Sequence, residues 1–248
     1  MLQQEYNIII DNSMLFKQQK GKIMKEIRLS DTKLFQGISE TEIHLMLDCL
    51  KTEEKNYKKD EVILHMGDTV TSLGMVISGS ALIENDDIWG NRSILDQIGP
   101  GQIFAETYAC VTGEKLMVNV AAATDVKVLF FHIERVIETC PQSCQFHGRL
   151  IKNLLAISAQ KNLSLSRRIF HTSPKTIRAK LLSYLSDQAL IYGKNEFDIV
   201  FNRQQLADYL GVDRSAMSSE LSRMQKDGLI KVKRNHFELL ENGMEFMG

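Results

Sequence analysis

The first half of the chain consists of short runs of alternating apolar and polar residues that end at glycine-containing turns. Leu73–Ile77 and Val126–Phe131 are two such runs, and Gly99-Pro100-Gly101 is one of the turns. Short strands separated by a turn about every 8–12 residues are typical of antiparallel sandwiches and barrels. The pattern therefore predicts an antiparallel β-domain in this half.

After Glu138 the spacing of apolar residues becomes helical. They recur at steps of three and four from Phe146 to Ile169, which predicts one amphipathic helix from about Gln142 to Phe170. A helix of about 28 residues is about 42 Å long. Because a small β-domain cannot cover that length, we expect part of the apolar stripe to pair with a second subunit, as a coiled coil in a homodimer. In the alternative, the stripe packs only on the β-domain of its own chain.

The stretch Asn202–Leu221 has the spacing of a helix-turn-helix. Asn202 and Asp213 are suited to cap two successive helices, and Gly211 between them permits the left-handed backbone of a tight turn. The core-facing positions of the two helices are apolar: Leu206, Leu210, Met217, Leu221 and Met224. The outward face of the second helix carries Arg214, Ser215, Ser218, Ser219 and Ser222. Such a face suits contact with bases in the major groove, whereas the alternative is a three-helix bundle without a DNA role.

Neighbouring segments extend this motif to a winged helix-turn-helix. Pro174 predicts the start of a preceding helix, and Phe197–Phe201 alternates as a short strand. Gly228–Leu240 predicts a hairpin with a basic tip, which is the wing. Glu220 departs from the usual pattern, because its position in the motif is normally apolar, and we expect it at the edge of the helix.

The charge of the chain is divided unevenly between its halves. Residues 1–138 contain 14 Lys and Arg and 21 Asp and Glu, whereas residues 139–248 contain 16 and 10. The second half is therefore expected to meet a polyanion, and double-stranded DNA fits the motif. No stretch approaches the roughly 20 apolar residues of a membrane helix, so no membrane contact is predicted. No basic region precedes Ile8–Ile10, which argues against a secretory signal and for a cytoplasmic location.

Particular side chains are assigned to the DNA contact. Arg214 stands at the first turn of the second helix, where its forked guanidinium matches the O6 and N7 atoms of a guanine. Arg203, Gln204 and Lys233 are expected to contact phosphates, and the serines suit either role. The full predicted set is Asn202, Arg203, Gln204, Asp213, Arg214, Ser215, Ser218, Ser219 and Lys233.

No catalytic constellation is evident in the chain. It lacks a nucleophile elbow, a P-loop, an HExxH sequence and a CxxC pair, so we expect no enzyme and no cofactor. Cys140, Cys144 and His147 stand at helical spacings that place them near one face, which leaves a redox- or metal-sensing regulator as the alternative function. A closed zinc site needs four ligands and the fourth is not evident, so no metal is predicted; the other interpretation is two buried, inert cysteines and a surface histidine.

The segment Gln102–Cys110 resembles the phosphate-binding cassette of cyclic-nucleotide-binding β-rolls. In that family a glycine and a glutamate hold the cyclic phosphate and the ribose, and an arginine about ten residues on, followed by a small hydroxyl residue, neutralises the phosphate. Here Ala105 and Glu106 stand at the first two places, and Leu116 and Met117 at the last two. The resemblance implies an effector pocket formed by Phe104, Ala105, Glu106, Leu116 and Met117.

The missing arginine predicts that this pocket is not built for cyclic AMP. A phosphate diester without its cation loses a charge-assisted hydrogen bond worth about 1.5–3 kcal/mol. Lys115 is adjacent to Leu116, but neighbouring side chains on an extended segment point to opposite faces. In the alternative interpretation, Glu106 is a carboxylate that serves only the dipole of a helix N-terminus.

The order of β-roll, long helix and winged helix-turn-helix resembles the Crp–Fnr family of bacterial transcription regulators over about residues 28–240. The resemblance implies an α+β fold with an N-terminal extension (1–27), a jelly-roll-like β-roll effector domain (28–138), a dimerisation helix (139–171) and a DNA-binding domain (172–248). It also implies a homodimer on a two-fold symmetric operator, an unknown small-molecule effector and, for an activator, contact with RNA polymerase. Only Cys49 lies where relatives with an iron–sulfur cluster carry several cysteines, so no cluster is expected.

Overall fold

The structure, a computed structural model, describes residues 27–86, 92–138 and 145–240. The chain forms two compact units that divide after Gln160, within the long helix. The element order is an antiparallel β-domain, the long helix and a helical domain with a small sheet, so the predicted α+β class is confirmed. None of the helices in the described ranges is both long and apolar enough to cross a membrane.

The unit that ends at Gln160 is built on two four-stranded antiparallel sheets. One sheet has the order β1-β8-β3-β6 and the other β2-β7-β4-β5. The strand bounds are β1 Glu53–Tyr57, β2 Val62–Leu64, β3 Ser72–Ser78, β4 Ala81–Asp86, β5 Arg92–Ile98, β6 Ile103–Phe104, β7 Asn119–Ala122 and β8 Val126–His132. The alternation of apolar residues did not predict β1, which is an edge strand with four exposed residues, or β6, which has only two residues.

In the described part of this unit, three short α-helices accompany the sheets: α1 Glu40–Cys49, α2 Glu106–Cys110 and α3 Ile133–Ile137. A 3-10 helix, Leu29–Asp31, precedes α1. The start of α1 is fixed by a capping box in which the Ser39 side chain and the Glu42 side chain each accept a backbone N–H of the other residue. Two apolar clusters fill the unit. One contains Val76, Val120, Val128 and Phe130, and the other lies under the helices around Phe35, Met46, Leu73 and Phe131.

The long helix α4 is Gln145–Thr172, and the predicted start at Gln142 lies outside the described residues. Leu150 and Leu154 are buried in the second of these clusters. Asn153 donates from Nδ2 to the carbonyls of Leu34 and Gln36, both at 2.9 Å. Other large apolar side chains of the helix remain exposed: Leu155, Leu163, Leu165, Ile169 and Phe170.

The unit that begins at Lys161 contains three further helices and a three-stranded antiparallel sheet of order β10-β11-β9. The bounds are α5 Ile177–Tyr192, β9 Glu196–Asp198, α6 Arg203–Leu210, α7 Arg214–Lys226, β10 Ile230–Lys233 and β11 His236–Leu239. The predicted helix start at Pro174 is wrong. The N-cap of α5 is Thr176, whose hydroxyl accepts the Ala179 N–H at 3.1 Å. The predicted strand at Phe197–Phe201 is also shorter, because its pairing with β11 covers only residues 196–198.

Candidate functional site

The helix-turn-helix consists of α6, a tight turn and α7. Asn202 Oδ1 accepts the Gln205 N–H at 3.0 Å, and Gln205 Oε1 accepts the Asn202 N–H at 2.8 Å, which completes a capping box. Gly211 has φ +62°, the left-handed backbone that the turn requires. Asp213 Oδ1 accepts the Ala216 N–H at 2.8 Å. Both predicted caps and the predicted turn are therefore confirmed.

The core of the motif fixes which face of α7 points outward. The side chains predicted to face the core are at most 2% exposed: Leu206, Leu210, Met217, Leu221 and Met224. Ala207, between the two core leucines of α6, is fully buried as well. The residues on the opposite side of α7 are exposed: Arg214, Ser215, Ser218, Ser219 and Ser222. Helical spacing alone therefore predicted both faces correctly.

The exposed side chains of α7 differ in whether they already have hydrogen-bond or ion-pair partners within the chain. The Ser215 hydroxyl donates to Asp213 Oδ1 at 2.5 Å, so this serine is part of the helix cap. That bond, together with the Ala216 N–H, holds the pKa of Asp213 below its usual value. Among the described residues, no acidic side chain pairs with Arg214, whose guanidinium lies in solvent at the first turn. Arg214 is thus available for a ligand, and Ser215 is held beside it.

The wing is the hairpin of β10 and β11, joined by the two-residue turn Arg234-Asn235. Arg234 has φ +57°, and Asn235 exchanges hydrogen bonds with the backbone of Ile199. Lys231 pairs with Glu238 at 3.0 Å, whereas Lys233 is exposed beside the turn. The predicted basic tip is therefore formed by Lys233 and Arg234.

An open cavity of about 500 Å³ lies between the wing turn and the start of α6. No acidic side chain is among its lining residues, which are Val200, Phe201, Asn202, Arg203, Gln205, Arg234 and Asn235. Arg203 is half-buried, with its guanidinium 5.2 Å from the ring centre of Phe237, and burial lowers its pKa. Arg234 and Asn235 were not among the predicted site residues, because only the fold brings the hairpin turn next to Asn202. Two of the residues that line the cavity, Arg203 and Arg234, are basic.

The predicted effector pocket centres on the junction of β6 and α2. Ala105 caps α2 with φ +60°, the left-handed region where the related family has glycine. Phe104 is buried against Gly74, where a Cβ would lie 2.3 Å from the ring, and its ring meets Phe130 edge-on with centroids 6.2 Å apart. Glu106 is only 4% exposed, and its side chain is not without an interaction partner. The structure thus brings Phe104, Ala105 and Glu106 together as one local unit.

The other two predicted pocket residues differ in burial. Leu116 is 2% exposed. Its backbone N–H donates a hydrogen bond to the Asp68 carbonyl, and its carbonyl accepts one from the Gly67 N–H, both at 2.8 Å. Met117 is 68% exposed. Lys115, the preceding residue, is exposed. A buried leucine therefore occupies the position at which the resemblance places the arginine.

Ala105 allows a direct test of backbone strain at this junction. A non-glycine residue in the left-handed region costs about 1 kcal/mol, so Ala105→Gly is expected to raise the free energy of unfolding by up to about that amount. Ala109→Gly, a matched change inside α2, should lower it by about 0.5–1 kcal/mol. Denaturant titrations of both variants check the prediction, and equal destabilisation by both would contradict it.

Of the predicted thiol and imidazole group, Cys140 and Cys144 lie outside the described residues. His147 is 3% exposed, and its Nδ1 has no hydrogen-bond partner within the described ranges. The interpretation of His147 as a surface histidine is therefore wrong, because the first turns of α4 pack on the β-domain. Within the described ranges no group of three or more His, Cys, Asp or Glu is arranged to hold a metal ion.

Comparison with known proteins agrees with both halves of the fold. The cyclic nucleotide-binding domain family matches residues 54–143, and the Crp-like helix-turn-helix domain family matches residues 179–241. Electron transport regulator A of Shewanella oneidensis is 25% identical over 207 residues, which are 79% of this chain and 78% of that protein. The cAMP-activated global transcriptional regulator CRP of Haemophilus influenzae is 21% identical over 178 residues, 70% of this chain and 78% of that protein.

A solved structure of CprK complexed with OCPA has the same fold. It aligns with a TM-score of 0.56 at 13% identity and covers 83% of this chain and 94% of that one. With a cyclic nucleotide-binding domain followed by a Crp-like helix-turn-helix domain, this chain belongs to the Crp–Fnr family of bacterial transcription regulators.

Proposed function

We propose that the protein is a homodimeric DNA-binding regulator that places α7 of each subunit in the major groove of a two-fold symmetric operator. The observation that carries this proposal is the outward face of α7, where Arg214 is exposed and unpaired among the described residues while caps at both helices fix the backbone. An arginine at the N-terminal end of such a helix can donate two hydrogen bonds to a guanine. The test is whether the purified protein enriches a symmetric sequence from random duplex DNA.

Sequence-independent contacts would come from residues around this helix. Lys233 and Arg234 are exposed at the wing tip, and Gln204 is exposed in the first turn of α6. Arg203 is expected to reach a phosphate from beside Phe237, where it is partly desolvated. Contacts of this kind position the protein and weaken with added salt, but they do not select a sequence.

The dimer is proposed to form along α4. Leu163 and Phe170 are seven residues apart, and Leu155 and Ile169 are fourteen residues apart. All four side chains are at least 60% exposed in the single chain. Apolar residues at this spacing are typical of a two-stranded coiled coil, and a contiguous exposed apolar stripe marks an interaction site. The second copy of the chain would bring a second α7 to the operator, with half-site centres about 34–36 Å apart.

The operator affinity is proposed to be controlled by a small molecule at the β-roll that is not cyclic AMP. The buried Leu116 stands where the family resemblance places the cation for the phosphate, and the neighbouring Lys115 is exposed. The proposed site of action is the cytoplasm, where chromosomal DNA lies. If the regulator activates transcription, RNA polymerase is a further partner.

Calorimetry is expected to detect no binding of cyclic AMP at physiological, micromolar concentrations. The physical reason is the missing guanidinium, since an uncompensated phosphate in an apolar site costs several kcal/mol. The regulator of Haemophilus influenzae, which is described as cAMP-activated, serves as the positive control in the same buffer. Micromolar affinity in this chain would contradict the prediction.

The alternative function, sensing of redox state or metal through Cys140, Cys144 and His147, rests on one observation. His147 is buried, and its Nδ1 has no hydrogen-bond partner among the described residues, so this nitrogen is free to bind a metal or a thiol. Thiol titration, metal analysis and DNA affinity with and without oxidant distinguish this function from control by a small molecule. A change of DNA affinity on oxidation that Cys140→Ser and Cys144→Ser abolish would favour the alternative.

A further inference from the structure

Two basic residues in the first turn of α5 are bonded inside the DNA-binding unit. Lys180 Nζ donates to the Leu210 carbonyl at the end of α6, at 3.1 Å. Arg178 donates from Nε to Glu220 Oε1 at 2.5 Å and from Nη2 to Asp227 Oδ2 at 2.7 Å. The two residues were counted in the positive charge of this half of the chain, but their charged groups hold other helices of the same domain.

The carboxylates that Arg178 contacts belong to α7, the helix proposed to contact the DNA bases, and to its C-cap. Glu220 lies within α7 with its side chain 14% exposed, and Asp227 is the C-cap of the same helix. A largely buried carboxylate needs a partner, and a negative charge at a helix C-terminus is unfavourable in the helix dipole. One guanidinium compensates both, because its planar fork donates in two directions. Arg223 also approaches Glu220, at 3.4 Å, but is 71% exposed, so its contribution is screened.

These contacts restrain the orientation of α7 within the domain. Glu220 and Asp227 are seven residues apart, which is about two turns and about 10 Å along the helix axis. Attachment at two points on one side opposes rotation of the helix about its axis and tilt of its C-terminal end. Because Arg214 and Ser218 belong to the same rigid helix, rotation at Glu220 would turn them away from the bases.

We propose that Arg178 is a positioning residue for DNA recognition, which sets the orientation of α7 by bridging Glu220 and Asp227. The proposal rests on the function proposed above, namely that α7 contacts DNA bases. It explains why the helix carries glutamate at a position that is normally apolar, because the acid is the attachment point for the supporting helix. Arg178 does not itself contact DNA in this assignment.

The test compares affinity for the selected operator with affinity for unrelated DNA at a temperature well below unfolding. Arg178→Ala is expected to weaken operator binding about tenfold, which corresponds to about 1.4 kcal/mol, and to leave non-specific binding nearly unchanged. Arg178→Lys should restore only part of the loss, because an ammonium lacks the planar fork. Lys175→Ala removes the same charge from an exposed neighbour without a partner among the described residues, and should leave the ratio of the two affinities unchanged.

A double-mutant cycle shows whether Arg178 acts through Glu220. In the Glu220→Gln background, Arg178→Ala is expected to weaken operator binding much less than in the wild type. Equal losses on operator and unrelated DNA would show that Arg178 contacts phosphates, and would overturn the proposal. A lower unfolding temperature with unchanged operator affinity would assign it a stabilising role only, and would overturn the proposal as well.

Hydrogen exchange in the DNA-free protein separates this proposal from the function on which it rests. Arg178→Ala should speed exchange of the amides between Glu220 and Asp227 and leave those of α6 unchanged. No change, or faster exchange throughout the domain, would overturn the proposal. If the wild-type protein selects no operator, the proposed function fails, while the exchange measurement still decides whether Arg178 holds α7.

Discussion

Arg214→Ala is expected to lower operator affinity by about 1–3 kcal/mol per half-site and to relax the preference at one base position. Arg214 is exposed in the first turn of α7, and no described acidic side chain competes for its guanidinium. The lost interaction is a bidentate hydrogen bond to a guanine, so the loss should fall on sequences that carry that base. Selections from random DNA with wild type and variant measure both effects.

Lys226→Ala provides the matched control for Arg214. Lys226 is exposed at the opposite end of the same helix, so its removal lowers the charge of α7 equally. We expect this variant to recover the wild-type motif. If Arg214→Ala also recovers the wild-type motif at every position, Arg214 does not recognise a base and its assignment is wrong.

Leu163→Lys is expected to convert the proposed dimer to monomers and to reduce operator affinity about 10²–10⁴-fold. Leu163 is 60% exposed in the single chain, and Phe170 lies seven residues further on the same face of α4. A lysine at this position would place two charges in an apolar seam, one from each subunit. A monomer engages one half-site, and the gain in affinity from simultaneous binding of two half-sites is lost.

Sedimentation velocity together with DNA titration measures this second effect. Leu163→Met retains an apolar side chain of similar volume and is expected to remain dimeric with unchanged affinity. A Leu163→Lys variant that sediments as the wild type would place the subunit interface elsewhere and contradict the proposed coiled coil.

The sequence predicted the helix-turn-helix closely, because its determinants are local. Asn202, Gly211 and Asp213 each act within a few residues of their own position, through caps and a left-handed turn. The core positions follow from helical periodicity alone. The predicted start of α5 was wrong because two local signals compete there. Pro174 favours a helix start, but the Thr176 hydroxyl is the group that caps the helix.

Features that depend on contacts between distant residues were not predictable. Arg178 and Glu220 are 42 positions apart, so the glutamate looked like an exception to the motif rather than half of an ion pair. The position of Arg203 over Phe237 depends in the same way on the packing of the wing. Strand β1 is polar and pairs at an edge with β8, which no alternation in its own residues indicates.

The predicted effector pocket combines a local feature that could be predicted with burial that could not. Family resemblance placed Ala105 and Glu106 at the junction of β6 and α2, and the left-handed backbone of Ala105 agrees with the glycine of that resemblance. The burial of Leu116 and the exposure of Met117 depend on the backbone pairing of their segment with Gly67 and Asp68, which the sequence pattern does not specify.

Selection of binding sites from random duplex DNA by the purified protein tests the central claim most directly. We expect enrichment of a two-fold symmetric motif whose half-site centres are one helical turn, about 34–36 Å, apart, with a guanine preference that disappears in Arg214→Ala. Enrichment should be lost in Leu163→Lys. Recovery of no motif, or of a motif without two-fold symmetry, would contradict the assignment of this chain as a dimeric regulator that recognises DNA through α7.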